Sequence, residues 1–140
     1  MDYYYNILIT GCSSGLGEAL FNKVWEHDFL KPFGHYRTED GDPYALIGDI
    51  TDSDFPEKLD NYIREREIDC FINNAGVYQG DIIDTNLGSQ IRMLQVVYKY
   101  FLEREKGRII NINSVAGLYP SANESIYCAS KFGLKGFSKS

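Results

Sequence analysis

The chain has 140 residues, 44% of them hydrophobic, which is enough for one domain with a single core and too many for a disordered polymer. A formal net charge of −6 argues against a broad basic face, so nucleic acid is not an expected partner. No apolar run approaches the ~18 residues of a membrane helix, and Met1-Asp2-Tyr3-Tyr4-Tyr5 carries no signal-peptide core.

Short apolar runs alternate with helical patterns. Asn6 to Thr10 reads as a buried strand, followed by a glycine turn and a helix from about Gly15 to Asp28. Phe33-Gly34-His35-Tyr36 is a weaker strand, demoted by Pro32 and Gly34. Tyr44 to Gly48 is a third strand, after a polar loop from Thr38 to Pro43. Ser53 or Asp54 caps a helix running to about Glu67, with Pro56 in its first turn. Asp69 to Asn73 is a fourth strand. A long helix follows from about Thr85 to Glu105, its apolar positions including Ile91, Leu94, Val97 and Phe101, and Gly107 ends it. Arg108 to Asn113 is a fifth strand, and a last helix begins near Ser125. Such alternation predicts an α/β fold in one domain over 1–140: a doubly wound parallel sheet of Rossmann type with about five strands. Cys12, Cys70 and Cys128 are odd in number and lack metal-ligand spacing, so we expect free thiols, a reducing cytoplasmic setting and no metal.

Thr10-Gly11-Cys12-Ser13-Ser14-Gly15-Leu16-Gly17 joins the first strand to the first helix. Glycines let this backbone turn tightly and approach a pyrophosphate, while the helix N-terminus offers amide donors and a favourable dipole. Ser13 and Ser14 add hydroxyl donors. Near the other end, Tyr127 and Lys131 are four residues apart, on one face of a helix. A phenol held beside an ammonium is a natural proton donor for carbonyl reduction.

The glycine turn, Asn73-Asn74-Ala75-Gly76 after the fourth strand, and Ser114 followed by Tyr127-x3-Lys131 occur in one order along the chain. This set resembles the short-chain dehydrogenase/reductase family, and the resemblance spans essentially the whole chain. It implies an NAD(P)-dependent oxidoreductase moving a hydride between nicotinamide and a small carbonyl or alcohol. Tyr127 matches the general acid/base, and Lys131 the residue that favours the phenolate and holds the nicotinamide ribose. Ser114 matches the residue that bonds the substrate oxygen, and Asn86 the asparagine of a water-mediated proton relay. The segment between Asn73 and Asn86 is shorter than the family's.

The resemblance also implies the cofactor contacts. Gly11, Ser13, Ser14, Gly15, Leu16 and Gly17 would surround the pyrophosphate, Asp49 and Ile50 the adenine, and Asn74, Ala75 and Gly76 the adenosine ribose. No acid ends the second strand, where one would select NAD, and Arg37 follows at once, so NADP is favoured over NAD. Glu39 and Asp40 dilute its charge. Family members continue well beyond the Tyr-x3-Lys helix, with two more strands and a substrate lid. The sheet is therefore expected to be truncated at that edge, its fifth strand left open. Self-association, or association with a missing C-terminal half, is the expected consequence. A nucleotide-binding fragment or regulatory module with little activity of its own is the alternative.

Overall fold

The computed structural model describes residues 4–39 and 41–140. The readings made above for Met1 to Tyr3 and for Asp40 lie outside the described residues.

Five strands form one parallel sheet: β1 (Tyr5–Ile9), β2 (Leu30–Tyr36), β3 (Leu46–Ile47), β4 (Cys70–Asn73) and β5 (Arg108–Asn111). Their spatial order is β3-β2-β1-β4-β5. The chain crosses from one half of the sheet to the other between β1 and β4, and a crevice opens there beyond the carboxyl ends of the strands. Among the described residues four helices cover the sheet: α1 (Gly15–Trp25), α2 (Phe55–Glu65), α3 (Ser89–Glu103) and α4 (Ser125–Lys139).

Period-2 alternation builds two cores. On β1, Ile7 and Ile9 point to one face, and on β4 Cys70 and Ile72 do the same; they pack with Leu20, Phe21 and Val24 of α1. Leu8 and Phe71 point the other way, onto Phe55, Leu59 and Ile63 of α2, Met93 and Val97 of α3, and Leu134 of α4. Both faces are covered, which is why these strands read as continuous apolar runs.

The structure corrects several element boundaries. β2 runs the full length from Leu30 and includes Pro32, which pairs opposite Ile7. Among the described residues β3 pairs only with His35 and Tyr36, so Pro32 has a strand on one side only and its missing N–H breaks no ladder bond there. β3 itself is two residues long rather than five. The α2 and α3 helices stop earlier than expected. Glu67 and Glu105 take left-handed backbone just beyond them, at φ 48° and 54°, without the glycine that usually marks such a stop. The helical path into α3 starts at Asp84 with a widened turn through Gly88, closed by i→i+5 bonding.

At the base of the sheet, Asp69 is 3% exposed and ties three elements together. One carboxylate oxygen accepts from the Asn6 backbone N–H at 3.1 Å, and the other from the Arg104 guanidinium at 3.1 Å. Arg104 also donates to the Ile68 carbonyl and to the Tyr100 hydroxyl.

Candidate active site

The crevice is a cleft of about 1040 Å³ bounded by the glycine turn, the ends of β2, β4 and β5, and α4. That volume suits a ligand larger than an ordinary drug-sized molecule.

One end is built from backbone. Gly11 sits at φ +74°, and a Cβ there would lie 2.9 Å from Ala75 Cα; Gly15 sits at φ +58° with open space beside it. Both positions need glycine's freedom, the first also its size. Ser13, Ser14, Gly15 and Leu16 present the first turn of α1 to the cleft. Ser14 stands at the helix N-cap and its side chain caps nothing, so the orphan amides at this terminus are available to an anion. Gly17 is different. It is buried beneath the turn, where a Cβ would meet the Gly11 carbonyl oxygen at 2.0 Å. It does not line the cleft, and its lack of a side chain lets the helix pack against the turn.

The turn is fastened to β4 and β2 by Thr10, Asn73 and Asn74 of the quoted motifs, and by Gln90 and His35, which no motif singled out. Thr10 Oγ1 accepts from the backbone N–H groups of Asn74 and Ala75, at 2.9 and 3.0 Å. Asn74 Nδ2 donates to the carbonyls of Thr10 and Gly11. Asn73 Nδ2 donates to Gln90 and to Asn111, both at 3.0 Å, and Gln90 in turn donates to the Ala75 carbonyl. His35, at the end of β2, is 3% exposed. Its Nδ1 lies 3.2 Å from the Gly11 N–H, and its Nε2 2.8 Å from the Gly48 carbonyl oxygen. A neutral ring protonated on Nε2 satisfies both, and burial pushes its pKa down toward that neutral form.

Arg37, Asp49 and Ile50 line the same end of the cleft. Asp49 Oδ1 accepts from the Thr51 backbone and hydroxyl at 2.9 and 2.7 Å, which holds its carboxyl below the usual range, with Arg37 adding to the effect.

The other end is built from side chains. Ser114, Tyr127 and Lys131 converge there, brought together from the loop after β5 and from α4. Ser114 Oγ accepts from the Ala116 N–H at 3.1 Å and also bonds the Tyr127 hydroxyl. Asn113 fixes the approach: its Oδ1 accepts from the Ser114 N–H and its Nδ2 donates to the Lys131 carbonyl. Lys131 is 6% exposed, and burial lowers its pKa. Gly76 faces it, since a Cβ there would lie 3.9 Å from Lys131 Nζ and 3.2 Å from Asn86 Oδ1.

Two expectations change here. Lys131 Nζ lies 5.7 Å from the centroid of the Tyr127 ring and so faces the ring. In place of a depressed pKa, Tyr127 is pushed up to about 12, first by burial and then by a hydrogen bond to Tyr78 that favours the protonated phenol, against the opposing bond from Ser114. Asn86 reaches the cleft from the widened helical turn, but its amide is engaged at both ends. It accepts from the Val77 N–H and donates to the Val77 carbonyl, each at 2.7 Å. The side chain thus clamps the loop after Gly76. Among the described residues no cluster of histidine, cysteine or carboxylate groups suits a metal ion, no disulfide joins the three buried cysteines, and no helix is long and apolar enough to cross a membrane.

Comparison with known proteins places the chain in a family. The chain is 32% identical to the 3-oxoacyl-(acyl-carrier-protein) reductase FabG of Salmonella typhimurium, an alignment covering 95% of this chain and 64% of the relative. The FabG of Escherichia coli K12 matches to the same extent. The chain therefore spans about 64% of the length of the curated relatives it matches. Among solved structures, a variant of actinorhodin polyketide ketoreductase with NADPH superposes at TM-score 0.80 with 26% identity, over 97% of this chain and 63% of that one. A Brucella melitensis 3-oxoacyl-(acyl-carrier-protein) reductase in complex with NAD shares the fold at TM-score 0.80 and 23% identity, over 98% of this chain and 66% of that one. The family model described as short chain dehydrogenase matches residues 5–140, nearly the entire sequence. On that match, and on its strand order, glycine turn and Ser–Tyr–Lys cluster, the chain belongs to the short-chain dehydrogenase family.

Proposed function

We propose that this chain forms the cofactor-binding and proton-transfer part of an NAD(P)-dependent oxidoreductase acting on a small carbonyl or alcohol. One observation carries the reading: Ser114, Tyr127 and Lys131 meet at one end of a cleft whose other end is a glycine turn at a helix N-terminus. The cleft fits an extended dinucleotide. Small residues and free amides suit the pyrophosphate, and Asn74, Ala75 and Gly76 lie along the path between the two ends. Bound there, the nicotinamide would supply or accept a hydride.

The chain's own residues would do the rest. Ser114 would donate to the substrate oxygen and set its position. Tyr127, protonated throughout the neutral range, would deliver a proton to that oxygen as negative charge develops on it. Lys131, a buried cation facing the ring, would stabilise the phenolate left behind and hold a ribose hydroxyl. Asn86 would keep the loop after Gly76 in place beside Lys131. Arg37 at the adenosine end supports NADP over NAD as the preferred cofactor. The relatives named as 3-oxoacyl and polyketide ketone reductases point to a keto group as the reducible function. β5 has β4 as its one strand neighbour among the described residues, and Ile110 on it is 39% exposed. Association along that edge, with a second copy or with further chain, belongs to the same reading.

The test is a titration of the protein with NADPH and NADH, followed by nicotinamide fluorescence, then ketone-dependent oxidation of the bound cofactor. Saturable binding with tighter NADPH, and turnover abolished in Tyr127→Phe, is the expected result. Binding without turnover of any ketone would reduce the protein to a nucleotide-binding module. No binding by a folded chain would refute the proposal.

A further inference from the structure

Tyr78 has no place in the chemistry just described, yet it sits at its centre. Its ring stacks on Tyr127 with centroids 4.5 Å apart and planes at 26°. The Tyr78 hydroxyl lies where it favours the protonated Tyr127 phenol, and Ser114 acts on the same Tyr127 oxygen in the opposite sense. A phenol has a single O–H to donate. A substrate carbonyl must accept that proton, and it must do so within reach of Ser114. Tyr78 and the substrate oxygen therefore compete for one donor.

The loop that carries Tyr78 is held at both ends. Val77 is clamped by the Asn86 amide through two bonds of 2.7 Å, and Ile82 packs against Ala116, Tyr127 and Cys128. Gly80, at φ +79°, makes the bend between them. Tyr78 itself is 72% exposed, whereas Tyr127 is 9% exposed. The backbone is thus fixed while the Tyr78 side chain has solvent to swing into, and a rotamer change would uncover Tyr127 without moving the loop.

We propose that Tyr78 is the gate of the carbonyl site: in the free protein it occupies the place beside Tyr127 and Ser114 that the substrate oxygen takes, and substrate enters as Tyr78 swings outward. The competition raises KM, because displacing Tyr78 precedes every productive encounter. It also shields the proton donor from water while the site is empty. The inference rests on the oxidoreductase reading for its kinetic consequence but not for the contact itself.

Two measurements on wild type, Tyr78→Phe and Tyr78→Ala decide it. The first is ethyl acetoacetate reduction with NADPH, ethyl acetoacetate serving as a small neutral keto probe. Tyr78→Phe removes the competing hydroxyl and should lower KM several-fold, with the gain in kcat/KM carried by KM; Tyr78→Ala removes the ring as well and should lower it further. An unchanged or higher KM in both variants overturns the gate. The second follows the Tyr127 ring by carbon-13 NMR in the cofactor-free protein as pH is raised. Tyr127 should ionise at lower pH in both variants than in wild type, and an unmoved titration overturns the proposal on its own. If no form reduces the keto ester, that ketone is not a substrate and counts against the oxidoreductase reading alone, while the Tyr127 titration still decides whether Tyr78 covers it.

Discussion

Replacing Gly17 by alanine tests whether the glycine turn is fixed by packing beneath it. The Cβ would lie 2.0 Å from the Gly11 carbonyl oxygen, 2.6 Å from Asn74 Nδ2 and 2.8 Å from the Gly11 carbonyl carbon, all inside the 3.0 Å that real Cβ atoms respect. Two of these three are backbone atoms, so no side-chain rotation relieves the clash. Overpacking of this kind costs about 1–3 kcal/mol. Pushing Asn74 away also weakens its bonds to the Thr10 and Gly11 carbonyls, about 1 kcal/mol more. Against this, alanine is the better helix former by about 1 kcal/mol. The net expectation is a loss of about 2 kcal/mol, or a fall in Tm of roughly 6–8 °C for a domain of this size. Gly136 is the matched control. It lies within α4 with nothing inside 4 Å of its Cβ position, so Gly136→Ala keeps only the helix term and should raise Tm by roughly 2–4 °C. Thermal unfolding followed by circular dichroism reads both. Equal shifts of the same sign, or no loss at Gly17, would refute the packing account.

Tyr127→Phe should leave Tm nearly unchanged, because the ring and its stacking on Tyr78 remain, while kcat for ketone reduction falls by about 100-fold or more; steady-state kinetics beside a melting curve would separate the two effects. Asp69→Ala should destabilise by about 3 kcal/mol, since it strands the Arg104 guanidinium and the Asn6 amide at the base of the sheet; a urea midpoint shift too small for that figure would count against the hub. Alkaline pH should lower stability in a defined window. Burial pushes both Tyr62 and Tyr127 up to about 12, above the ordinary tyrosine value of about 10. The folded state thus keeps protons that the unfolded chain releases. The stability from these groups is fully present below about pH 10 and is lost as pH rises toward about 12. A Tm that stays flat across that interval would contradict the assignment.

How far the fold could be read in advance follows from what each signal depends on. Ile7, Leu8 and Ile9 mark β1 because both faces of a central parallel strand are covered, and that shows as an unbroken apolar run. The Tyr127-x3-Lys131 spacing likewise places two side chains on one helix face through local geometry alone. What escaped the sequence depends on who the neighbour is. Pro32 argues against β2 on composition alone, and only the short reach of β3 shows that its one partner among the described residues is β1, on the other side. His35 became legible as a latch once β2 was placed next to β1, bringing its ring to Gly11 across 24 positions of chain. Spacing put Lys131 beside Tyr127 but could not say whether the ammonium meets the hydroxyl or the ring face. Tyr78 sits in a loop that no periodicity describes, so its position over Tyr127 was invisible until both ends of that loop were fixed.

The two ends of the cleft are made of different material, and this governs what substitution can do to each. At the glycine turn the walls are backbone: Gly11 against Ala75, Gly17 against Gly11, Thr10 stitched to Asn74 and Ala75. An added atom there must displace main chain, so damage to binding and damage to folding arrive together. At the carbonyl end the walls are side chains whose backbone is secured elsewhere, Asn113 holding Ser114 and the α4 backbone, and Asn86 holding Val77. An atom removed there leaves the frame standing, so chemistry changes while stability does not. Gly17→Ala and Tyr127→Phe should therefore separate cleanly, the first moving Tm and cofactor affinity in step, the second moving turnover alone. A Tyr127 variant that unfolded would mean that the carbonyl end is part of the frame after all, and the division between a backbone cradle and a side-chain proton donor would have to be abandoned.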